Sequence, residues 1–320
     1  MKSMSSIMLG CSPFVGARQF GPRAHQYAER FAKPENIQRV WDAFCIAGGR
    51  ALHLVDYRPL WDAWVSWPGR HQTDVSLTIS AEPSDDWLRE VAEFGGTRVI
   101  LHARRVDSGE SLASFAERAR HYGLEPWAST HQPFAMLTTC SDLDTVAGVL
   151  LPFNPLGVQM DAPPERVVQA AREHAHNVVA MMALGAGQVA FPDGVAFAGQ
   201  YFSTVIAGTG DAEHAAQIAI LGRYLDLLRP EVTVRRVCAP EVDVSTFPDQ
   251  VTFMLDHRGM TIRGTAVDVW IALERPCTVA DLVNRFPRRH LDMHRNDIEA
   301  AVGGLVLRLA AWGLIAEVAM

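Results

Sequence analysis

The sequence lacks the features that mark membrane, secreted and zinc-stapled proteins. Its five cysteines are widely scattered and form no CxxC pair, so they indicate neither a disulfide framework nor a zinc knuckle. Its apolar runs are interrupted well short of the ~20 residues that a membrane-spanning helix needs. Residues 1–10 contain no long apolar region followed by a cleavage site. We therefore expect a cytoplasmic protein with reduced thiols and no membrane span.

Charge is also scarce, because only 20% of the residues are charged and acids and bases are interspersed. The net charge of -7 does not favour a partner with a phosphate backbone, such as a nucleic acid. The apolar fraction of 48% is large enough for a sizeable core and too large for a disordered chain. The 320 residues suffice for one α/β barrel of about 250 residues or fewer and one small domain.

Strand-like and helix-like segments alternate over the first 230 residues, which is typical of βα units around a parallel sheet. Most of the strand-like segments are near-continuous apolar runs, as buried parallel strands should be. The predicted strands are 6–10, 51–55, 75–79, 99–102, 126–130, 148–153, 178–182 and 204–207. We therefore predict a TIM (β/α)8 barrel over residues 1–229. The Trp-rich connection 61–67 and the segment 185–200, which has no firm helical period, fit this pattern least well.

The pattern changes after the predicted barrel. Residues 230–247 resemble a linker, although they could instead add a strand to a second domain. From residue 248 onward the sequence predicts a hairpin around the turn 256–259, three helices and a terminal strand. Thr278, with Asp281 three residues later, is expected to cap the second of these helices. The C-terminal residues 248–320 therefore read as a small α+β, winged-helix-like domain.

Polar residues follow several of the predicted barrel strands. In a (β/α) barrel the active site lies at the C-terminal ends of the strands, so these positions define the candidate site without further information. His102 and His131 could act as acid or base, and Asp56 and Glu82 could be bases or could orient a histidine. The candidate catalytic residues are His102, Asp56, Tyr57, Glu82, His131 and Asn154.

A metal site is an open alternative, because His53 and several of these candidates are residue types that bind zinc, iron or manganese. No HxH, HxxxD or HExxH spacing is present, so the ligands would have to converge from separate strands. We therefore predict no metal.

Glycine-rich turns follow the seventh and eighth predicted strands. The loops after these strands often bind phosphate in barrels, because backbone amides and a helix N-terminus attract an anion. No Lys or Arg is near in sequence, so a phosphate would rely on the backbone, and plain tight turns are the alternative. The candidate cofactor-binding residues are Gly185, Gly187, Gly208, Thr209 and Gly210.

Four segments resemble the aldo/keto reductase superfamily in the order that the family has. They are 100–102, 150–156, 178–187 and 205–214, and the resemblance extends over about the first 230 residues. It implies a barrel oxidoreductase that uses NADP(H), with His102 at the position of a catalytic histidine on the fourth strand.

The sequence departs from that family where the chemistry lies. The family pairs an Asp with a Tyr several residues later, whereas Asp56 and Tyr57 are adjacent here. The family's lysine at the end of the third strand is replaced by Ser80, and without this cation a tyrosine is a poor proton donor at neutral pH. The cofactor loop also lacks the basic residues that grip NADPH. Ordinary carbonyl reduction is therefore disfavoured.

The C-terminal domain resembles small PqqD-like, winged-helix peptide-binding modules. The resemblance lies in the hairpin 253–262 and in the helices around Trp270, Leu282 and Leu305. It implies binding of a precursor peptide during ribosomal peptide maturation. The basic cluster at Arg285, Arg288, Arg289 and Arg295 leaves DNA binding as a weaker alternative.

The leading interpretation is a barrel enzyme that acts on a small molecule or a precursor peptide, with the C-terminal domain recognising the substrate. One alternative is a non-catalytic barrel scaffold with a peptide- or partner-binding C-terminal module. The other is a DNA-binding regulator with a ligand-sensing barrel.

Overall fold

The computed structural model describes residues 6–17, 20–80, 84–173, 177–237, 239–285 and 293–318. The chain divides into two compact units. The first comprises Met1–Val189 and Phe202–Arg223, and the second comprises Ala190–Tyr201 and Tyr224–Met320. Of the residues 1–229 that the sequence assigns to the barrel, 190–201 and 224–229 belong to the second unit.

The first unit contains a closed barrel of eight parallel strands in sequential order, which confirms the predicted fold. The strands are β1 (Ile7–Gly10), β2 (Ala51–Val55), β3 (Asp74–Ile79), β4 (Arg98–Leu101), β5 (Glu125–Ser129), β6 (Gly148–Pro152), β7 (Asn177–Met181) and β8 (Thr204–Gly208). Four residue pairs between β1 and β8 close the barrel. Each strand overlaps a strand predicted from the sequence.

Helices follow most strands of the barrel. They are α1 (Arg23–Arg30), α2 (Pro34–Ile46), α3 (Arg58–Val65), α4 (Asp85–Glu93), α5 (Ala103–Val106), α6 (Leu112–His121), α7 (Pro133–Thr139), α8 (Pro164–Glu173) and α10 (Ala212–Gly222). The caps explain several starts, because Ser84, Ser111 and Asp211 accept hydrogen bonds from the first turns of α4, α6 and α10. The sequence predicted only a loop where α1 lies, since no residue of α1 is buried.

The Trp-rich connection after β2 is the amphipathic helix α3. Trp61 and Trp64 are buried, with ring centres 4.8 Å apart, and a proline stands in the first turn of the helix. The indole of Trp61 also donates a hydrogen bond to Glu90 on α4 over 3.0 Å. The tryptophans therefore stabilise the packing of the helices around the barrel.

The interior of the barrel is filled in layers, because every second residue of a strand points inward. The middle layer is apolar and consists of Met8, Ala51, Ile100, Trp127, Leu150, Val179 and Ile206. Residues two positions further along the strands belong to the layer at the carboxyl ends. In β1, β2 and β8 these residues are Gly10, His53 and Gly208, which are neighbours in the strand register.

The layer at the amino ends of the strands contains an ion-pair network. Arg98 is 8% exposed and donates to Asp74 over 2.5 Å and to Glu125 over 2.9 Å. The indole of Trp127 donates to Glu125 over 3.0 Å. A buried guanidinium is tolerated only with such partners, so these residues lock β3, β4 and β5 together.

The second unit combines one helix from the middle of the chain with the C-terminal residues. Its elements are α9 (Phe191–Gly199), β9 (Val234–Arg236), β10 (Asp243–Thr246), β11 (Gln250–Leu255), β12 (Arg258–Arg263), α11 (Thr265–Ala272), α12 (Val279–Arg285), α13 (Arg295–Ala311) and β13 (Ile315–Glu317). Residues 185–200 showed no helical period in the sequence because α9 is buried on nearly all sides.

Close packing joins α9 to α13. Gly304 leaves room for Asp193, whose carboxylate would collide with any side chain at that position. Glu299 is buried, and it accepts hydrogen bonds from the Tyr201 hydroxyl over 2.5 Å and from Arg295 over 2.8 Å. These two hydrogen bonds fix the position of α13 relative to Tyr201, which follows α9.

The predicted hairpin and helix cap are both present in the second unit. β11 and β12 pair antiparallel around the turn at Asp256, and Thr278 and Asp281 exchange hydrogen bonds as a capping box. The predicted linker 230–247 instead contains β9, which pairs with β13, and β10, which pairs with β11. Its valines alternate with polar residues, and this alternation is what a strand requires.

Among the described residues, no helix has both the length and the apolar content to cross a bilayer.

Replacing Arg98 by methionine is expected to lower the free energy of unfolding by about 3 kcal/mol, because two carboxylates would lose their cation inside the barrel. Chemical denaturation measures this change. Arg89→Met is the matched control, since Arg89 is an exposed partner of Asp86 and its loss should hardly move the midpoint. Equal midpoints for the two variants would show that the network contributes nothing.

Candidate functional site

A cavity of about 300 Å³ lies at the carboxyl ends of β1, β2, β7 and β8. We call it the mouth cavity. It is lined by Gly10, Ser12, Pro13, Phe20, Arg23, Tyr27, His53, Met181, Met182, Ala183, Leu184, Ala186, Gly187, Ile206, Gly208, Thr209 and His214. The position agrees with the end of the barrel at which catalytic sites of this fold are found.

Two glycines form the wall of the cavity beside His53. Gly10 and Gly208 are register partners on β1 and β8, and both lie at the carboxyl ends of the strands. A methyl group on Gly10 would lie 2.9 Å from Cγ2 of Ile206, so this wall has no room for a side chain. Glycine at both positions therefore lets β1 and β8 pack closely at the edge of the cavity.

The loop after β7 forms a second wall and has a strained backbone. Met182 and Ala186 have φ values of 54° and 58°, a left-handed conformation that costs an L-residue about 1–2 kcal/mol. Gly185 and Gly187 adopt positive φ values of 50° and 88° without that cost. Such strain persists only where the surroundings hold it, and it clusters at functional sites.

Helix α1 and the residues before it supply the outer wall. Phe20 and Tyr27 make an edge-to-face contact with ring centres 5.3 Å apart, and Tyr27 lies 6.2 Å from the ring of Phe31. Arg23 extends from the same helix towards the β7 loop. A methyl group on Gly187 would lie 3.6 Å from its Nη2 atom. The helix therefore places a guanidinium beside a strained, glycine-rich turn.

His53 is the titratable side chain that the barrel itself contributes to the mouth cavity. Its Nε2 atom lies 2.7 Å from Oγ1 of Thr78, with which it shares a hydrogen bond. Burial, together with a smaller effect of the neighbouring His102, lowers the pKa of His53 to about 4. The imidazole is therefore neutral at physiological pH.

His102 and His131 form a pair at the ends of β4 and β5. Their ring centres are 6.1 Å apart, with the planes nearly perpendicular. His102 caps α5, since its Nδ1 atom accepts from the backbone N–H of Arg104 over 3.0 Å. The neutral ring therefore carries its proton on Nε2. Burial and the nearby His131 lower the pKa of His102, although Asp56 and Asp107 oppose that shift.

Two carboxylates near these histidines link the ends of neighbouring strands by hydrogen bonds. Asp56 accepts from the backbone N–H of Ser80 over 2.8 Å and from its hydroxyl over 2.5 Å. Asp107 accepts from the Thr130 hydroxyl over 2.6 Å and from the backbone N–H of His131 over 3.0 Å. Each carboxylate joins the ends of two neighbouring strands by charge-assisted hydrogen bonds, so each stabilises the conformation of the loops at the site.

The remaining candidate catalytic residues lie apart from this cluster. Tyr57 is 48% exposed and precedes α3, and it does not line the mouth cavity. Asn154 is fully buried, and its amide exchanges two hydrogen bonds with the backbone of Val158. These bonds explain why a polar residue stands there without any ligand. Glu82 lies outside the described residues.

The candidate cofactor residues divide into two groups. Gly187, Gly208 and Thr209 line the mouth cavity, and their role in binding a cofactor stays a prediction. Gly185 and Gly210 are buried and do not line it. A methyl group on Gly210 would lie 3.0 Å from the ring of Phe31, so this glycine permits the packing of the residues after α1.

The described residues contain no cluster of three or more His, Cys, Asp or Glu side chains that could hold a metal ion. His53, His102 and His131 approach one another, but Thr78 and the cap of α5 occupy a ring nitrogen of the first two.

No family model and no curated protein sequence matches the chain. Among solved structures, aldose reductase from Giardia lamblia has 11% identity and a TM-score of 0.47, covering 71% of this chain and 88% of its own. An aldo-keto reductase from Klebsiella pneumoniae in complex with NADPH has 14% identity and a TM-score of 0.47, covering 69% and 85%. A chain of the tryptophan synthase α2β2 complex from Pyrococcus furiosus has 12% identity and a TM-score of 0.41, covering 68% of this chain and 89% of its own.

Such low identities and TM-scores identify neither a family nor an activity. The barrel assignment rests instead on the strand pairing of this chain, which closes β8 onto β1.

Three residues of the site were not predicted from the sequence. His53 was considered only as a metal ligand, although its place two residues after the inward-facing Ala51 shows that it faces the barrel interior. Asp107 stands six residues past the end of β4, and its link to Thr130 is visible only in the fold. Arg23 reaches the β7 loop from the first residue of α1, and no spacing in the sequence indicates that.

Stability should fall in acid because of His53. The unfolded state binds a proton at this residue below its ordinary pKa of about 6.5, whereas the folded state does so only near 4. The free energy of unfolding should therefore drop by about 2 kcal/mol as the pH falls from 6.5 to 4. His53→Gln should lose less stability over this range in urea denaturation. His71→Gln, an exposed control, should behave as the parent. Identical pH slopes for both variants would contradict the assignment.

Proposed function

We propose that the barrel is an enzyme that acts on a small molecule in the mouth cavity by acid–base chemistry through its histidines. The observation that carries this proposal is His53, a neutral imidazole on the floor of the cavity. Neighbouring strands place Gly10 beside it, so a ligand can reach the ring. His102 stands within electrostatic reach behind it.

A neutral histidine suits one class of chemistry in particular. It can donate a hydrogen bond to a carbonyl oxygen and so stabilise the enolate that forms when a neighbouring C–H is deprotonated. His102 does not line the mouth cavity, but it lies close enough to His53 to influence its pKa, and we propose it as a second group that can take or return a proton through His53. We therefore favour proton transfer next to a carbonyl, as in isomerisation or dehydration.

Carbonyl reduction with NADP(H), which the sequence resemblance implied, has less support. Tyr57 is exposed and outside the cavity, and the position of the expected lysine is taken by Ser80, which is bound to Asp56. The cavity volume of about 300 Å³ is at the small end of ligand sites, which span about 300–1,000 Å³. A dinucleotide would have to extend beyond a cavity of this size, and we assign no step to this cofactor.

Deuterium exchange tests the proposed chemistry without knowledge of the substrate. Incubation in D₂O with a panel of small neutral and anionic aldehydes and ketones should give enzyme-dependent loss of the C–H signal next to the carbonyl in ¹H NMR. His53→Gln should slow this exchange by about 100-fold or more, the usual contribution of a general acid or base.

The control for this experiment is again His71→Gln, which makes the same chemical change on an exposed 3-10 turn. A parallel assay of NADPH consumption with the same panel tests hydride transfer. Consumption of NADPH without C–H exchange would replace our proposal by carbonyl reduction. Inactivity in both assays would favour the non-catalytic scaffold.

A second proposal concerns the C-terminal unit, where we retain an extended peptide as the partner. All four residues of β10 are exposed, and among the described residues only β11 pairs with this strand. Val244 is 46% exposed on this strand, and Phe247, which directly follows the strand, is 51% exposed. An unpaired edge strand with apolar side chains is a template for strand addition by a peptide. The PqqD-like character of this unit remains a prediction.

Strand addition can be tested with a fluorescein-labelled decapeptide of alternating valine and threonine. Val244→Glu should abolish the change in fluorescence anisotropy, because it places a charge in the apolar track. Ser245→Glu is the control, since adjacent residues of a strand face opposite sides of the sheet. Equal binding by the two variants, or none by the parent, would exclude this mode of recognition.

A further inference from the structure

We infer that the mouth cavity selects its ligand through an oxyanion, a phosphate or carboxylate group, which Arg23 binds between the β7 and β8 loops. This inference rests on the proposed function for the reaction, but it names the class of substrate and a residue that determines specificity. The anionic group would lie at the rim of the cavity, above the histidine on its floor.

The charge of the cavity wall is the first argument. The described residues that line the mouth cavity include one arginine and two histidines, Arg23, His53 and His214, and no carboxylate. The whole chain has 36 acidic and 29 basic residues, so a wall without a carboxylate runs against its composition. Because His53 is neutral, Arg23 is the fixed cation of this wall, and it favours an anionic ligand locally within an acidic protein.

The second argument is that Arg23 is available. It has neither a hydrogen bond nor an ion pair within the described part of the chain, and its side chain is exposed. Glu29, on the same helix, pairs instead with His25. Asp211 caps α10 by accepting from the backbone N–H of His214 over 3.0 Å. A guanidinium with free donors can bind two oxygens of one anion at once.

The third argument is backbone access. Gly187 and Gly208 have no side chains to keep an anion away from the peptide groups of the two loops. The Thr209 Oγ1 atom accepts from the backbone N–H of Asp211 over 3.1 Å, which leaves its own proton to be donated. Together with Arg23, these groups offer charge and directed donors from two loops of the barrel.

The distribution of polar groups also orients the ligand. His53, Gly10 and Gly208 belong to strands and form the floor, whereas Arg23, Gly187 and Thr209 belong to the segments above them. A bound molecule would therefore carry its anionic group at one end and its reacting oxygen at the other. A cavity of about 300 Å³ admits one such small molecule.

Isothermal titration calorimetry with inorganic phosphate and with acetate tests the inference on the full chain and separates the two oxyanions. At least one of them should bind the parent saturably. Arg23→Gln should weaken that binding by about tenfold or more, since it removes a charge-assisted contact. Arg30→Gln is the matched control, because it makes the same charge change on the same helix, where Arg30 lies over the ring of Phe31 and outside the cavity.

The outcomes separate this inference from the proposed reaction. Equal affinities for Arg23→Gln and Arg30→Gln would overturn it, as would the absence of saturable binding of both anions. His53→Gln should keep the affinity for the anion while losing C–H exchange. If the anion binds through Arg23 but no variant or substrate shows exchange, the proposed chemistry fails and the oxyanion site stands.

Discussion

The site depends on one pairing in the barrel, that of Gly10 with Gly208 where β1 meets β8. This pairing must form for the sheet to become a barrel. A methyl group on Gly10 would lie 2.9 Å from Cγ2 of Ile206, so the two strands can approach as they do only without a side chain there. Barrel interiors are normally filled in layers by bulky residues, and here two glycines occupy the top layer beside His53 at the edge of the mouth cavity.

The electrostatics of the mouth follow from the same geometry. Burial lowers the pKa of both His53 and His102, and the neighbouring His102 adds to the shift of His53 while His131 adds to that of His102. Asp56 and Asp107 are near His102 but are engaged with neighbouring backbone and hydroxyl groups. The mouth cavity therefore contains a neutral imidazole, His53, and the guanidinium of Arg23. In our proposal, Arg23 binds the charge of the ligand and His53 takes part in the proton transfer.

The sequence was a good guide to the barrel and a partial guide to its site. Continuous apolar runs reveal buried parallel strands because that pattern is local, and all eight strands were found from it. Polarity at a strand end is a weaker signal. It selected His102 and His131 but also Asn154, whose amide only closes a loop. Asp107 binds Thr130 on another loop, and Arg23 lies beside Gly187 in the loop after β7, and no local pattern in the sequence encodes either position.

The helix α9 has a consequence for how this protein can be divided. It stands between β7 and β8 in the chain, yet its partner is α13, which is made some hundred residues later. Six of its nine residues are buried. A fragment that ends after β8 and α10 would leave this surface bare and prone to aggregation. The C-terminal unit therefore cannot be removed without exposing α9. A protein that consisted of the barrel alone would need polar residues on the surface of this helix.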